Sequence, residues 1–138
     1  IDHSKPLAAE LKAAGIAEVD MVASLTQTEQ HYAQIIESLK PQGQLAVIDD
    51  MKVLDAMPLK TKSLSLHWEM MFARSRFETP DIAEQGALLA EVAALVDAGR
   101  VRTTANASFG TINAANLRRA HALIESGKAQ GKVVLAGF

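Results

Sequence analysis

Residues 19–48 read VDMVASLTQTEQHYAQIIESLKPQGQLAVI, and the two ends of this stretch differ in character from its middle. Val19-Asp20-Met21-Val22-Ala23-Ser24-Leu25 is a mostly apolar run, and Gln44-Leu45-Ala46-Val47-Ile48 is a second, closed by Asp49-Asp50. Short apolar runs bounded by turn residues predict buried strands. Between them, Thr26-Gln27-Thr28-Glu29 fits a capping box, with threonine at the N-cap and glutamate at the third helical position. Tyr32, Ile35, Ile36 and Leu39 recur at helical spacing and predict one apolar stripe on a helix that ends before Pro41 and Gly43. Two apolar strands joined by a capped helix make a βαβ unit, which calls for a parallel sheet and a right-handed crossover. The expected fold class is α/β.

The flanks extend this pattern. Residues 4–14 predict a short helix, with Pro6 tolerated in its first turn, Leu7 and Leu11 on one face and Gly15 at its end. After the second strand, a loop with Met51, Val53, Leu54 and Met57 runs to Pro58. Lys62-Ser63-Leu64-Ser65-Leu66-His67-Trp68 then alternates polar and apolar residues, the sign of a half-exposed strand at a sheet edge or a subunit contact. Thr79-Pro80-Asp81 offers a cap, a first-position proline and a first-turn acid for a long helix. Ile82, Gly86, Leu89, Val92, Leu95 and Val96 would form its buried face, with Gly99 at the C-terminal end. Residues 100–111 look irregular. Asn113 is placed to cap a helix over 114–126, lined by Leu117, Ala120, Leu123 and Ile124 and stopped by Gly127, and 131–135 predict a short closing strand.

Composition narrows the function classes. The chain has 138 residues, 49% apolar and 22% charged, which suits a globular domain with a core. Its 14 basic and 16 acidic residues give a net charge of −2 with no basic face, which argues against nucleic acid as the main partner. Apolar runs are broken by charge or glycine within about ten residues, short of the roughly 20 that span a bilayer, so no membrane partner is expected. The chain has no cysteine, which excludes disulfides and thiolate metal sites within it. It begins Ile1-Asp2-His3 without methionine, and this opening suggests a segment of a longer protein.

No single motif is decisive. The eight glycines form neither GxGxxG nor GxxxxGK[ST], so no phosphate-cradling loop is expected here. His3, His31, His67 and His121 are scattered at spacings that assemble no zinc set, and no metal ligands are expected. Asp49 and Asp50 follow a strand, where open α/β sheets bind ligands, yet adjacent acids also satisfy the backbone of ordinary turns. Ser24, Leu25 and Thr26 occupy the same kind of place after the first strand, and Thr26 suits a helix cap equally well. Trp68, Glu69, Met70, Met71 and Phe72 would make either a wall for a flat ring or a packing surface. Lys132, before the last strand, is either solvated or a phosphate contact. No residue stands out as catalytic.

The order of these pieces resembles the cofactor domain of medium-chain dehydrogenase/reductases. The resemblance rests on the strand–helix–strand with Leu39-Lys40-Pro41-Gln42-Gly43-Gln44-Leu45-Ala46-Val47-Ile48, the edge strand and the long helix. The tail from Ile112 to His121 and Gly127-Lys128-Ala129-Gln130-Gly131-Lys132-Val133-Val134-Leu135 are similar to that family's closing helix and strand. Zinc-type alcohol dehydrogenase-like and quinone oxidoreductase-like members are the nearest in pattern, and Ile1-Asp2-His3 resembles the end of their third strand. The resemblance implies the second half of a Rossmann-like parallel sheet plus a C-terminal helix and strand. Residues 1–111 would be a partial dinucleotide-binding domain, and 112–138 would return toward a catalytic domain.

The same resemblance implies a cytoplasmic NAD(P)-dependent oxidoreductase as the parent, moving hydride between nicotinamide and a small alcohol, carbonyl or quinone. The glycine-rich turn and any zinc ligands would lie upstream, so the segment alone would be inactive. Ser24, Leu25 and Thr26 would sit on the ribose side of NADP or NAD, and Ile48 and Asp49 near the nicotinamide. Trp68, Glu69 and Met70 would meet the carboxamide, and Lys132 would approach the pyrophosphate. The paired aspartates depart from the small residues usual in the family at that loop. Without its inner neighbour, the strand at 19–25 would expose an edge, and self-association through it or through 62–68 is expected. The alternative is a complete, non-enzymatic α/β interaction module using the strand around Leu64 and Leu66.

Overall fold

The computed structural model describes every residue of the chain except His3, and Ile1-Asp2-His3 as the end of a preceding strand therefore lies partly outside the described residues. Two compact units form, Ile1–Phe77 and Glu78–Phe138. In the first, helix α1 (Leu7–Ala13) precedes strand β1 (Val19–Ser24), helix α2 (Thr28–Ser38) and strand β2 (Leu39–Val47). A short helix α3 (Met57–Thr61) leads to strand β3 (Ser65–Trp68) and a single turn, α4 (Ala73–Arg76). The sheet order is β1-β2-β3 and both pairings are parallel, as the βαβ pattern requires. The architecture is α/β, consistent with half of a Rossmann-like sheet.

Alternation along the strands sets the two faces. Leu45 and Val47 of β2 are fully buried and pack with Ile35 and Ile36 of α2, Leu39 and Leu59, while Val22 and Leu66 close the flanks. The apolar stripe expected on the helix holds for Ile35 and Ile36, which are core, and for Tyr32, which packs against it; Leu39 is also core but as the first residue of β2. Helix α1 stacks behind α2 through buried Ala8, and the Gln34 side chain accepts the first amide of α1, from Leu7, at 2.6 Å. The other face presents Met21, Ala23, Gln44, Ala46 and His67, which line a shallow depression of about 300 Å³.

Strand β2 begins earlier than its apolar core suggests, because α2 passes into it directly at Leu39. The pairing slips there: Val19 faces Leu39, whereas Met21 faces Gln44. Lys40-Pro41-Gln42-Gly43 loops out between them, with Gln42 at φ 65° and Gly43 so close to Lys40 and Asp20 that a Cβ would meet their carbonyl oxygens at 2.9 and 3.0 Å. Lys40 Nζ and Asp20 Oδ1, 2.8 Å apart, bridge the bulge.

Three local expectations are corrected. Thr26 does not cap α2: Gln27 stands at the N-cap in the left-handed region (φ 56°) and makes no side-chain cap. The acceptor comes instead from Asp49, as described below. The half-exposed strand is confined to Ser65–Trp68, because Lys62 is drawn away to the C-terminal end of α2, where its Nζ donates to the carbonyls of Leu39 and Glu37 at 2.6 and 3.0 Å. The third concerns the helix expected from Thr79-Pro80-Asp81. Thr79 Oγ1 donates to Asp81 Oδ1 at 2.6 Å, the residues form a separate turn, and the helix starts at Glu84.

That helix, α5 (Glu84–Asp97), opens the second unit, followed by β4 (Ala105–Ser108), α6 (Ala114–Glu125) and β5 (Lys132–Val134). Residues 100–111 were expected to be irregular but contain β4, which pairs in parallel with β5. Asn113 caps α6 as expected, its side chain accepting the Asn116 amide at 2.9 Å. The apolar face expected of α5 is not buried: Leu89 is 62% exposed and Leu95 and Val96 are only half-buried. On α6, Ala120 is buried while Ile124 is 60% exposed.

Candidate functional site

Three parallel strands in register end together. Ser24 pairs with Val47 and Val47 with Trp68, so the loops after β1, β2 and β3 leave the sheet at one edge. In open α/β sheets this carboxyl edge is where ligands bind. A cleft of about 310 Å³ opens there, lined by Ile48, Asp49, Asp50 and Met51 after β2 and by Trp68, Glu69 and Met70 at the end of β3. Five of the residues singled out from sequence, Ile48, Asp49, Trp68, Glu69 and Met70, thus come together. The amide of Glu69 donates to the carbonyl of Val47 at 2.9 Å, which holds the β3 end against β2. Trp68 and Met70 are largely exposed and offer apolar surface rather than core packing.

Ser24, Leu25 and Thr26 divide. Ser24 is buried and its carbonyl accepts the Ile48 amide at 3.2 Å, so it belongs to the frame of the site. Leu25 is 70% exposed and Thr26 is exposed, on the short loop into α2. Lys132 belongs to the second unit, where it is exposed and its amide donates to the Thr104 carbonyl at 2.6 Å.

The electrostatics of the site centre on Asp49. Its Oδ2 accepts the Thr28 amide at 2.9 Å, and its Oδ1 accepts the Thr28 hydroxyl. These two bonds, the hydroxyl first and the amide second, hold the Asp49 carboxyl below the usual carboxylate range. Ser24 Oγ lies 2.7 Å from Thr28 Oγ1. Since the Thr28 proton is committed to Asp49, Ser24 must be the donor, giving a chain Ser24 → Thr28 → Asp49. With both oxygens engaged, Asp49 is a structural anion at the positive end of α2 rather than a free base. Beyond it, the Tyr32 hydroxyl donates to the Asp55 carbonyl at 2.7 Å and ties the following loop to α2. Burial, with the Asp55 charge second, pushes the Tyr32 phenol up.

Sequence reading missed Thr28 and Lys62. Each acts on a partner more than twenty residues away, and no local pattern carries that signal. Among the described residues, no group of three or more histidines, cysteines or acids is arranged to hold a metal ion. The cleft combines the apolar surface of Trp68, Met70 and Met51 with the acidic residues Asp49, Asp50 and Glu69.

Comparison with known proteins supplies the context. A family model described as "Zinc-binding dehydrogenase" matches residues 1–135. A zinc-type alcohol dehydrogenase-like protein of Staphylococcus aureus (strain MSSA476) is 30% identical over 139 residues, which cover 98% of this chain and 41% of that protein. A protein of the same description from Staphylococcus epidermidis (strain ATCC 12228 / FDA PCI 1200) is 27% identical, covering 98% and 40%. Among solved structures, a Rhizobium etli CFN 42 protein described as a zinc-dependent alcohol dehydrogenase is 53% identical with a TM-score of 0.87, covering all of this chain and 40% of that one. CurK enoyl reductase shares the fold at a TM-score of 0.66 and 20% identity, over 95% of this chain and 38% of its own. The chain spans about two fifths of the length of the curated relatives it matches.

Proposed function

Because the chain belongs to the zinc-binding dehydrogenase family, we propose that it forms part of the nicotinamide-dinucleotide-binding region of an oxidoreductase. The observation that carries this reading is the common edge at which Ser24, Val47 and Trp68 end three parallel strands over an apolar-walled cleft. The bound NADP or NAD supplies hydride exchange with a small alcohol, carbonyl or quinone; this chain's residues position and shield it. The main chain of Leu25 and Thr26 faces the ribose side, and Ile48 borders the nicotinamide. Trp68, Glu69 and Met70 receive the carboxamide end. Asp49 serves through its backbone, since its carboxylate is committed to Thr28.

In the whole enzyme, residues 1–111 complete the dinucleotide-binding domain and 112–138 return to the catalytic domain. Zinc, where the whole enzyme uses it, takes its ligands from outside this chain. In the chain by itself, β1 and β3 are the edges of the sheet, and copies associate through one or both of them. The chain contains no glycine-rich phosphate turn, so by itself it binds dinucleotide weakly and is inactive. Calorimetric titration of the 138-residue chain with NADH and with NADPH tests this. Affinity poorer than about millimolar is expected, and micromolar binding by this chain alone would overturn the idea of a shared site. The full-length enzyme, by contrast, should oxidise NADH or NADPH with a small carbonyl or quinone acceptor. Failure with every acceptor class and both dinucleotides would overturn the activity.

A further inference from the structure

Asp49 occupies a ligand-binding edge but does not present its carboxylate to a ligand, and what it holds suggests a use. The loop from Ser24 to Thr28 is fastened at both ends by one network. Ser24 donates to Thr28, Thr28 donates its hydroxyl and its amide to Asp49, and the Ile48 amide returns to the Ser24 carbonyl. Thr28 is completely buried and Ser24 nearly so, which keeps water from competing for these bonds. Between the fastened ends, Leu25, Thr26 and Gln27 are exposed, and Gln27 sits in the left-handed region, where a non-glycine residue needs outside support.

We propose that Asp49 is a positioning residue for the dinucleotide: it sets the shape of the Leu25–Thr26–Gln27 loop by clamping Thr28, and so presents that loop's main chain to the cofactor. This rests on the dinucleotide-binding reading and goes beyond it, because it assigns the carboxylate to the neighbouring loop rather than to the nicotinamide. The clamp also places a protein anion at the α2 N-terminus and closes the Thr28 amide to a cofactor phosphate. A neutral amide in place of the carboxylate accepts only one of the two Thr28 bonds, and the loop would be released at one end.

The test uses the full-length enzyme and follows dinucleotide binding by quenching of protein fluorescence, together with steady-state kinetics. Asp49→Asn and Thr28→Val should each weaken NADH or NADPH binding about tenfold, and Thr28→Ser, which keeps both donors, should stay within about twofold of wild type. The loss should fall on KM for the dinucleotide, with kcat at saturation and KM for the second substrate within about twofold. The double variant Asp49→Asn/Thr28→Val should be no worse than either single one, because both break the same clamp. Wild-type affinity in both single variants would overturn the clamp while leaving the dinucleotide reading intact. An equal fall in kcat with unchanged dinucleotide affinity would overturn it too. Wild-type enzyme that binds neither dinucleotide would overturn the underlying reading and the clamp with it. Should Asp49→Asn fail to fold, the Thr28→Val and Thr28→Ser pair decides alone.

Discussion

The two units of this chain are built from similar material and end in different states. In Ile1–Phe77, helix and sheet bury a shared core, and Leu39, Leu45 and Val47 are completely covered. In Glu78–Phe138, helix α5 is richer in apolar residues than α2 yet leaves Leu88 and Leu89 well exposed, and Ala120 is the one buried residue among those described. The contrast shows that an apolar helical stripe states a requirement for burial without supplying it. Helix α2 meets its requirement at once, on the strand that precedes it and the strand that follows. Helix α5 has no strand before it in its unit, and its stripe stays open. Exposed apolar patches of this kind mark surfaces made for contact.

Core truncation breaks or sharpens this comparison most strongly. Leu45→Ala should destabilise the chain by about 3–5 kcal/mol, whereas Leu89→Ala should change stability by no more than about 0.5 kcal/mol. Urea denaturation followed by circular dichroism measures both, and equal losses would show that the units share one level of packing. Backbone strain comes next. Gly131 lies at φ 73°, and a Cβ there would collide with the Thr104 carbonyl oxygen, while Gly99, at φ 69°, has open space around it. Gly131→Ala should cost about 3 kcal/mol and free the β5 amides for hydrogen exchange, against about 1 kcal/mol for Gly99→Ala. Equal exchange in the two variants would mean that β4 and β5 do not depend on that close approach.

A smaller loss is expected at the C-terminal end of α2. Lys62→Met removes the ammonium from the Leu39 and Glu37 carbonyls and should cost about 1 kcal/mol, read from the same denaturation curves. The smallest effect is one of acidity. Asp49 and Asp20 both have folded values below the ordinary carboxylate 3.8, Asp49 through Thr28 and Asp20 through Lys40. Their stabilisation is therefore complete above that value and is lost as pH falls through the lower folded values. Acid unfolding of Asp49→Asn should be less steep below about pH 4 than that of wild type. Superimposable acid curves would show that this carboxylate contributes nothing differential.

What could be read in advance follows physical range. The parallel βαβ arrangement and the core residues Ile35, Ile36 and Leu45 were legible because periodicity and burial act on neighbours a few positions apart. Caps were not. A capping box describes Thr26 and Glu29, yet the bond to the Thr28 amide comes from Asp49, which pairing of β2 with β1 brings over. Strand β4 carries no sequence signal, because Ala105-Asn106-Ala107-Ser108 has little intrinsic preference for extended structure. It is a strand through pairing with β5. At the candidate site, place was readable and partner was not: Asp49 follows β2 at the carboxyl edge of the sheet, but its carboxylate is engaged by Thr28.

Helix α2 is gripped at both ends by side chains that come later in the chain, Asp49 at its start and Lys62 at its finish. This makes it a gauge of fixed length. Inserting one residue would lengthen it by about 1.5 Å and rotate everything beyond by about 100°, so Ile35 and Ile36 could keep their seats only if one grip let go. Its register is checked against the sheet at two points rather than one. Gain or loss of residues is therefore best tolerated outside the gripped helix, in an exposed loop such as that at Val53.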